Sequence, residues 1–216
     1  MNNKQKIKLV MFDMDGTLIV GRSIFIISEK KGFKNKLIKV LESNKEAYQK
    51  SIEIAKFLKG FDSRELLDIV REIPLQKNTR EVAEKLRENS VKTAIATDSY
   101  QFIADDLKKR LNFDYAFANN LIIKQNIVTG ELILNNNTKK MCHSGKTYSI
   151  CKGLVLEQLC EKLNIKNKEI IAIGDGIVDI GMIKKAGLGI AYKAPDELQK
   201  FADVITNDLG VILEYI

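Results

Sequence analysis

Short apolar runs recur along this chain of 216 residues, at Lys8 to Phe12, Lys92 to Ala96, Glu169 to Ile173, Leu188 to Ala191 and Asp203 to Ile205. The first three each reach an acid within two residues, at Asp13, Asp98 and Asp175. The runs lack the clean alternation of half-exposed strands and suit strands buried on both faces. Between them lie helical stripes, such as Phe102, Ile103, Leu107 and Leu111, or Val155, Leu156, Leu159, Cys160 and Leu163. Alternating strands and helices predict an α/β fold with a Rossmann-like parallel sheet core.

Two segments break the alternation. From about Ser23 to Lys77 only helical periodicity appears, including Ala47 to Leu58 and Ser63 to Glu72, which predicts a helical module inserted after the first strand. In the second segment, Leu121 to Lys124 and Glu131 to Leu134 flank Val128-Thr129-Gly130, and an Asn135-Asn136-Asn137 run follows. A hairpin with a long polar tail is expected there. The resulting division is a core of residues 1–20 and 81–216, a hairpin insertion at about 119–149, and a helical cap of residues 21–80.

In an open α/β sheet, ligands sit beyond the carboxyl ends of the strands. Those ends here read Asp13-Met14-Asp15-Gly16-Thr17, Thr97-Asp98-Ser99 and Gly174-Asp175-Gly176, with Asp179 following. Carboxylates gathered at buried strand ends are costly unless a cation is held among them. Oxygen donors without His or Cys at these ends favour Mg²⁺ over Zn²⁺.

Competing motifs fail on spacing. A calcium loop counted from Asp13 would put Leu18 at the turn glycine and Ile24 at the closing glutamate. The Gly174-x-Gly176 start of a dinucleotide loop meets Asp179 at its third glycine position, and Asp175 would repel a pyrophosphate. Gly145-Lys146-Thr147 has Lys140 where a P-loop needs glycine. Cys142, His143 and Cys151 make only three donors at no usual zinc spacing, and His143 is expected at the surface.

The chain carries 35 Lys+Arg against 28 Asp+Glu, a net charge of +7. The excess is mostly lysine spread over helical stretches, with 7% aromatic residues and no tryptophan. Solvated lysine faces explain it better than a nucleic-acid surface. Three cysteines are expected as reduced thiols, and the polar Met1 to Lys8 segment and the lack of a long apolar run predict a cytoplasmic protein with no membrane span.

The order of the motifs adds a family. D-x-D-G-T at Asp13 to Thr17, a Thr at position 97, the Lys152-Gly153 pair opening a helix, and G-D-G-x-x-D at Gly174 to Asp179 resemble the four motifs of the haloacid dehalogenase superfamily. The stretches DYAFANNLII (114–123), Val128-Thr129-Gly130 and IGDGIVDIGMIKKAGLGIAYKA (173–194) resemble its phosphoserine phosphatase branch, in which a helical cap follows the first motif. The resemblance implies Mg²⁺-dependent hydrolysis of a small phosphorylated metabolite through an aspartyl phosphate on Asp13. It implies Asp15 as general acid and base, Thr97 and Lys152 as phosphate contacts, and metal contacts from Asp13, Asp15, Asp175 and Asp179; the candidate substrate-binding residues are Thr97 and Lys152 together with Arg22 and Asp98, which stand where the family has other residues.

Substrate identity departs from the branch. The family glutamate that holds the substrate ammonium, nine residues after the nucleophile, falls on Arg22, and the cap arginine that receives the carboxylate falls on Ala55, with Lys50, Lys56 or Arg64 as substitutes. Asp98 stands where glycine usually follows the motif-two hydroxyl. These departures predict a phosphorylated substrate with a second anionic group, not phosphoserine. Phosphoserine hydrolysis proper, or phosphotransfer by the same chemistry, is the alternative.

Overall fold

The structure is a computed structural model that describes residues 6–142 and 145–216, so His143 lies outside the described residues. The chain runs through β1 (Leu9–Phe12), α1 (Ser23–Lys30), α2 (Lys34–Glu42), α3 (Ala47–Phe57), α4 (Ser63–Arg71), α5 (Thr79–Glu88), β2 (Lys92–Tyr100), α6 (Gln101–Leu111), β3 (Tyr115–Lys124) and β4 (Ile127–Ile133). It continues through α7 (Lys152–Leu163), β5 (Ile170–Gly174), α8 (Ile180–Lys185), β6 (Leu188–Tyr192), α9 (Asp196–Gln199) and β7 (Val204–Thr206). Among the described residues no helix is long and apolar enough to cross a membrane.

The strands form one sheet in the order β4-β3-β2-β1-β5-β6-β7. All neighbours are parallel except β3 and β4. This is the expected α/β core, and β1 lies inside it with all four residues fully buried. Its pleat sends Val10 and Phe12 to one apolar layer with α5 and α6, and Leu9 and Met11 to another with α7 and α8. Because β2, β1 and β5 are adjacent and parallel, their carboxyl ends meet at one edge of the sheet.

Helices α1 to α4 leave and rejoin the core through two chain segments lying side by side. Val20 donates its N–H to the Pro74 carbonyl and Gln76 donates to the Leu18 carbonyl, both at 2.9 Å. The helical module therefore hangs on a two-stranded hinge that starts within a few residues of Asp13.

The hairpin differs from expectation. Its turn is Gln125-Asn126, both in the left-handed region, whereas Val128-Thr129-Gly130 lies inside β4. Two positive-φ residues at the turn match the twist of the paired strands, and Asn tolerates that conformation. Gly130 serves packing: a Cβ there would come 3.0 Å from Lys59 Cβ, next to the end of α3. β3 is also longer than expected, beginning as a parallel neighbour of β2 before it pairs with β4.

Asp114, just before β3, ties that strand to β2. Its carboxylate accepts from Thr93 N–H at 2.9 Å, Thr93 Oγ1 at 3.1 Å and Lys92 Nζ at 2.7 Å. Burial works against the charge, but these donors outweigh it and hold the carboxyl below its ordinary range. A depressed folded-state value contributes stability above the unfolded value, and that contribution is lost as pH falls through the folded one. Asp114→Ala is expected to lower stability by about 1–3 kcal/mol at neutral pH. In urea unfolding, the gap to wild type should narrow once the pH is taken below the ordinary aspartate range.

Candidate active site

Asp13 follows β1 directly, and its N–H is held by the Ile173 carbonyl of β5 at 2.9 Å. Lys152, the first residue of α7, is 3% exposed and donates its ammonium to Asp13 Oδ1 and Asp179 Oδ1, each at 2.5 Å. Asp179 accepts from Gly176 N–H through its other oxygen at 2.9 Å, which fixes the loop after β5. Carboxylate oxygens of Asp13, Asp175 and Asp179 lie within 4.8 Å of one another. Three acids thus face one buried lysine.

The electrostatics follow from that imbalance. Burial pushes the Asp13 carboxyl up to about 7, with Lys152 opposing the rise and Asp175 adding to it. Burial takes Asp179 up to about 6, again against Lys152. Asp175 is raised by burial and by Asp179. For Lys152, burial disfavours the charged form, but the Asp13 and Asp179 charges prevail and hold its pKa above the ordinary value.

The donor set fits a hard divalent cation. The grouped side chains offer only oxygens, and the single lysine leaves excess negative charge that a cation such as Mg²⁺ would neutralise. Gly16 makes the approach possible. It sits at φ +90, and a Cβ there would come 2.1 Å from Asp175 Oδ2, so any side chain would displace that carboxylate.

Asp15 points elsewhere. Its carboxylate accepts Ser23 N–H and Ser23 Oγ, each at 2.9 Å, and Ser23 Oγ lies 3.2 Å from Ser99 Oγ. Burial lifts Asp15 to about 7 against the pull of the Ser23 N–H. Ser23 is the first residue of α1, so the helical module contacts Asp15 directly. The sequence reading missed it, because a serine at a helix start looks like an ordinary cap. It also missed Gln76, whose Nε2 donates to the Gly16 carbonyl at 2.8 Å while its Oε1 accepts from Tyr192 and Lys193. Nothing in one sequence marks a glutamine on a linker as the anchor of a loop sixty residues away.

Thr97 is fully buried within β2, which continues to Tyr100 across a register shift rather than ending at Ala96. Its Oγ1 accepts from Ser99 N–H at 3.2 Å. Asp98 and Arg22 are exposed and line a cavity of about 160 Å³ that opens beside Asp15, walled by Phe25, Leu41 and Ile54 among others. Of the positions considered for the cap arginine, Ala55 is buried in the apolar core and Arg64 pairs with Asp62. Lys50 reaches the cavity, donating to the Leu41 carbonyl at 2.6 Å.

If Asp13 and Asp175 hold a cation beside Asp179, adding Mg²⁺ should raise the melting temperature of the wild type by several degrees. Asp175→Asn should lose most of that rise. An equal shift in the variant, read by thermal melting, would place the cation elsewhere.

The family model for haloacid dehalogenase-like hydrolases matches residues 7–187. Phosphoserine phosphatase of Methanocaldococcus jannaschii is 29% identical over 230 residues, covering 99% of both chains. That of Campylobacter jejuni subsp. doylei is 28% identical over 220 residues, covering 97% of this chain and all of its own. A solved phospho-aspartyl intermediate analogue of phosphoserine phosphatase superposes with a TM-score of 0.81 at 28% identity, covering 98% of this chain and 99% of that one. These relatives do not support the expectation of a substrate other than phosphoserine and speak for the alternative. Taken with the acids around Lys152, the match places this chain in the haloacid dehalogenase-like hydrolase family, as a phosphomonoester hydrolase.

Proposed function

We propose that the protein is a Mg²⁺-dependent phosphoserine phosphatase working through an aspartyl phosphate on Asp13, with residues 21–80 as the cap over the site. The observation that carries this reading is the buried Lys152 bridging Asp13 and Asp179 beside Asp175. The full-length similarity to phosphoserine phosphatases supports the substrate.

A carboxylate attacking a phosphomonoester brings two anions together, so the site must supply positive charge. Mg²⁺ held by Asp13, Asp175 and the Asp15 backbone carbonyl would neutralise phosphoryl oxygens when bound. Lys152 holds Asp13 Oδ1, and the other carboxylate oxygen attacks phosphorus. It also offsets the charge on the transferring group. Asp179, with both oxygens engaged, keeps Lys152 in place. Asp15 gives its proton to the departing serine oxygen, then takes one from the water that hydrolyses the acyl phosphate. Thr97, close to the reacting end of β2, supplies a hydroxyl to the phosphate.

The purified protein is expected to release phosphate from phosphoserine and from p-nitrophenyl phosphate, and chelation should stop it. Asp13→Asn should lower kcat by about a thousandfold or more. No hydrolysis by the wild type with Mg²⁺, or undiminished hydrolysis by Asp13→Asn, would overturn the mechanism.

A further inference from the structure

Among the described residues the cavity beside Asp15 presents two charged side chains with no ion-pair or hydrogen-bond partner, Arg22 and Asp98. The other charged groups lining it are engaged, Asp15 by Ser23 and Lys50 by the Leu41 carbonyl. The two stand on different elements. Arg22 immediately precedes α1, next to the Ser23 that grips Asp15. Asp98 sits in β2 between Thr97 and Ser99, its backbone carbonyl held at 2.8 Å by Asn119 Nδ2. Each charge is therefore carried on backbone that is fixed at the site.

Both charges also act on the reacting end. Asp98 adds to the upward push on Asp13 and Asp15, and Arg22 lowers Asp175. A cavity of about 160 Å³ is small against the roughly 300–1,000 Å³ of pockets for drug-sized ligands, so it suits a body of a few heavy atoms. One unpaired cation and one unpaired anion on a small cavity complement a body bearing both charges. A ligand that lacks either group forgoes the corresponding ion pair.

We infer that Asp98 receives the ammonium and Arg22 the carboxylate of a phosphorylated amino acid, so that the sheet supplies the anion and the cap the cation. This rests on the phosphoserine reading above and adds to it the two side chains that set specificity. It also accounts for the departures at positions 22 and 98 together, since an arginine near the site needs a compensating acid for a zwitterion to bind.

The test crosses two variants with three substrates, each kcat/KM taken relative to p-nitrophenyl phosphate in the same protein. Asp98→Asn is expected to lower the ratio about tenfold or more for phosphoserine and phosphoethanolamine, but less than about threefold for phosphoglycolate, which has no ammonium. Arg22→Met is expected to do the reverse, lowering phosphoserine and phosphoglycolate and sparing phosphoethanolamine. Equal losses for all three substrates, or no loss, would overturn the assignment while leaving phosphoserine hydrolysis by the wild type intact. A wild type that hydrolyses phosphoglycolate better than phosphoserine would instead reject the phosphoserine reading, and the phosphoethanolamine arm would still decide the role of Asp98.

Discussion

The contact on which the site depends is the buried ammonium of Lys152 between Asp13 and Asp179. A carboxylate out of water is tolerable only with a counter-charge at hydrogen-bond distance, and here one lysine serves two. The fold exists to bring these groups together. Asp13 comes from the end of β1, Asp179 from the loop after β5, and Lys152 from the start of α7, and only parallel pairing of β1 with β5 brings those ends to one side. The arrangement leaves net negative charge, and that imbalance suits a divalent cation, which would in turn offset the charge of a phosphate.

The helical module is coupled to that centre at two points. Ser23 grips the Asp15 carboxylate as the chain enters the module, and Gln76 grips the Gly16 carbonyl as it returns. Both residues bracket the hinge, so movement of the module relative to the sheet would act on the Asp13 to Thr17 loop first. Gly16 belongs to that loop, and its lack of a side chain lets the loop lie against Asp175.

Much of this was legible in the sequence. The apolar runs mark the parallel strands β1, β2, β5, β6 and β7, though not the parallel start of β3, and the acids ending three of them mark the edge of the candidate site, because burial on both faces leaves the strand tips as the place where charge meets solvent. Three things were not legible. Gly130 has the composition of a turn residue, yet the turn lies at Gln125-Asn126 and Gly130 leaves room for the chain at the end of α3. The sequence pattern puts Thr97 at a strand end, but a register shift carries β2 on to Tyr100. Ser23 and Gln76 act through contacts set by tertiary structure, and their residue types occur everywhere in caps and linkers.

Asp13 alone is expected to form the bond to phosphorus. The most direct measurement is to quench the protein in acid during turnover of phosphoserine, reduce it with borohydride, and sequence the peptides. An acyl phosphate on Asp13 is expected to appear as homoserine at position 13 and nowhere else. An unreduced Asp13 during active turnover, or homoserine at Asp15, Asp175 or Asp179 instead, would contradict it.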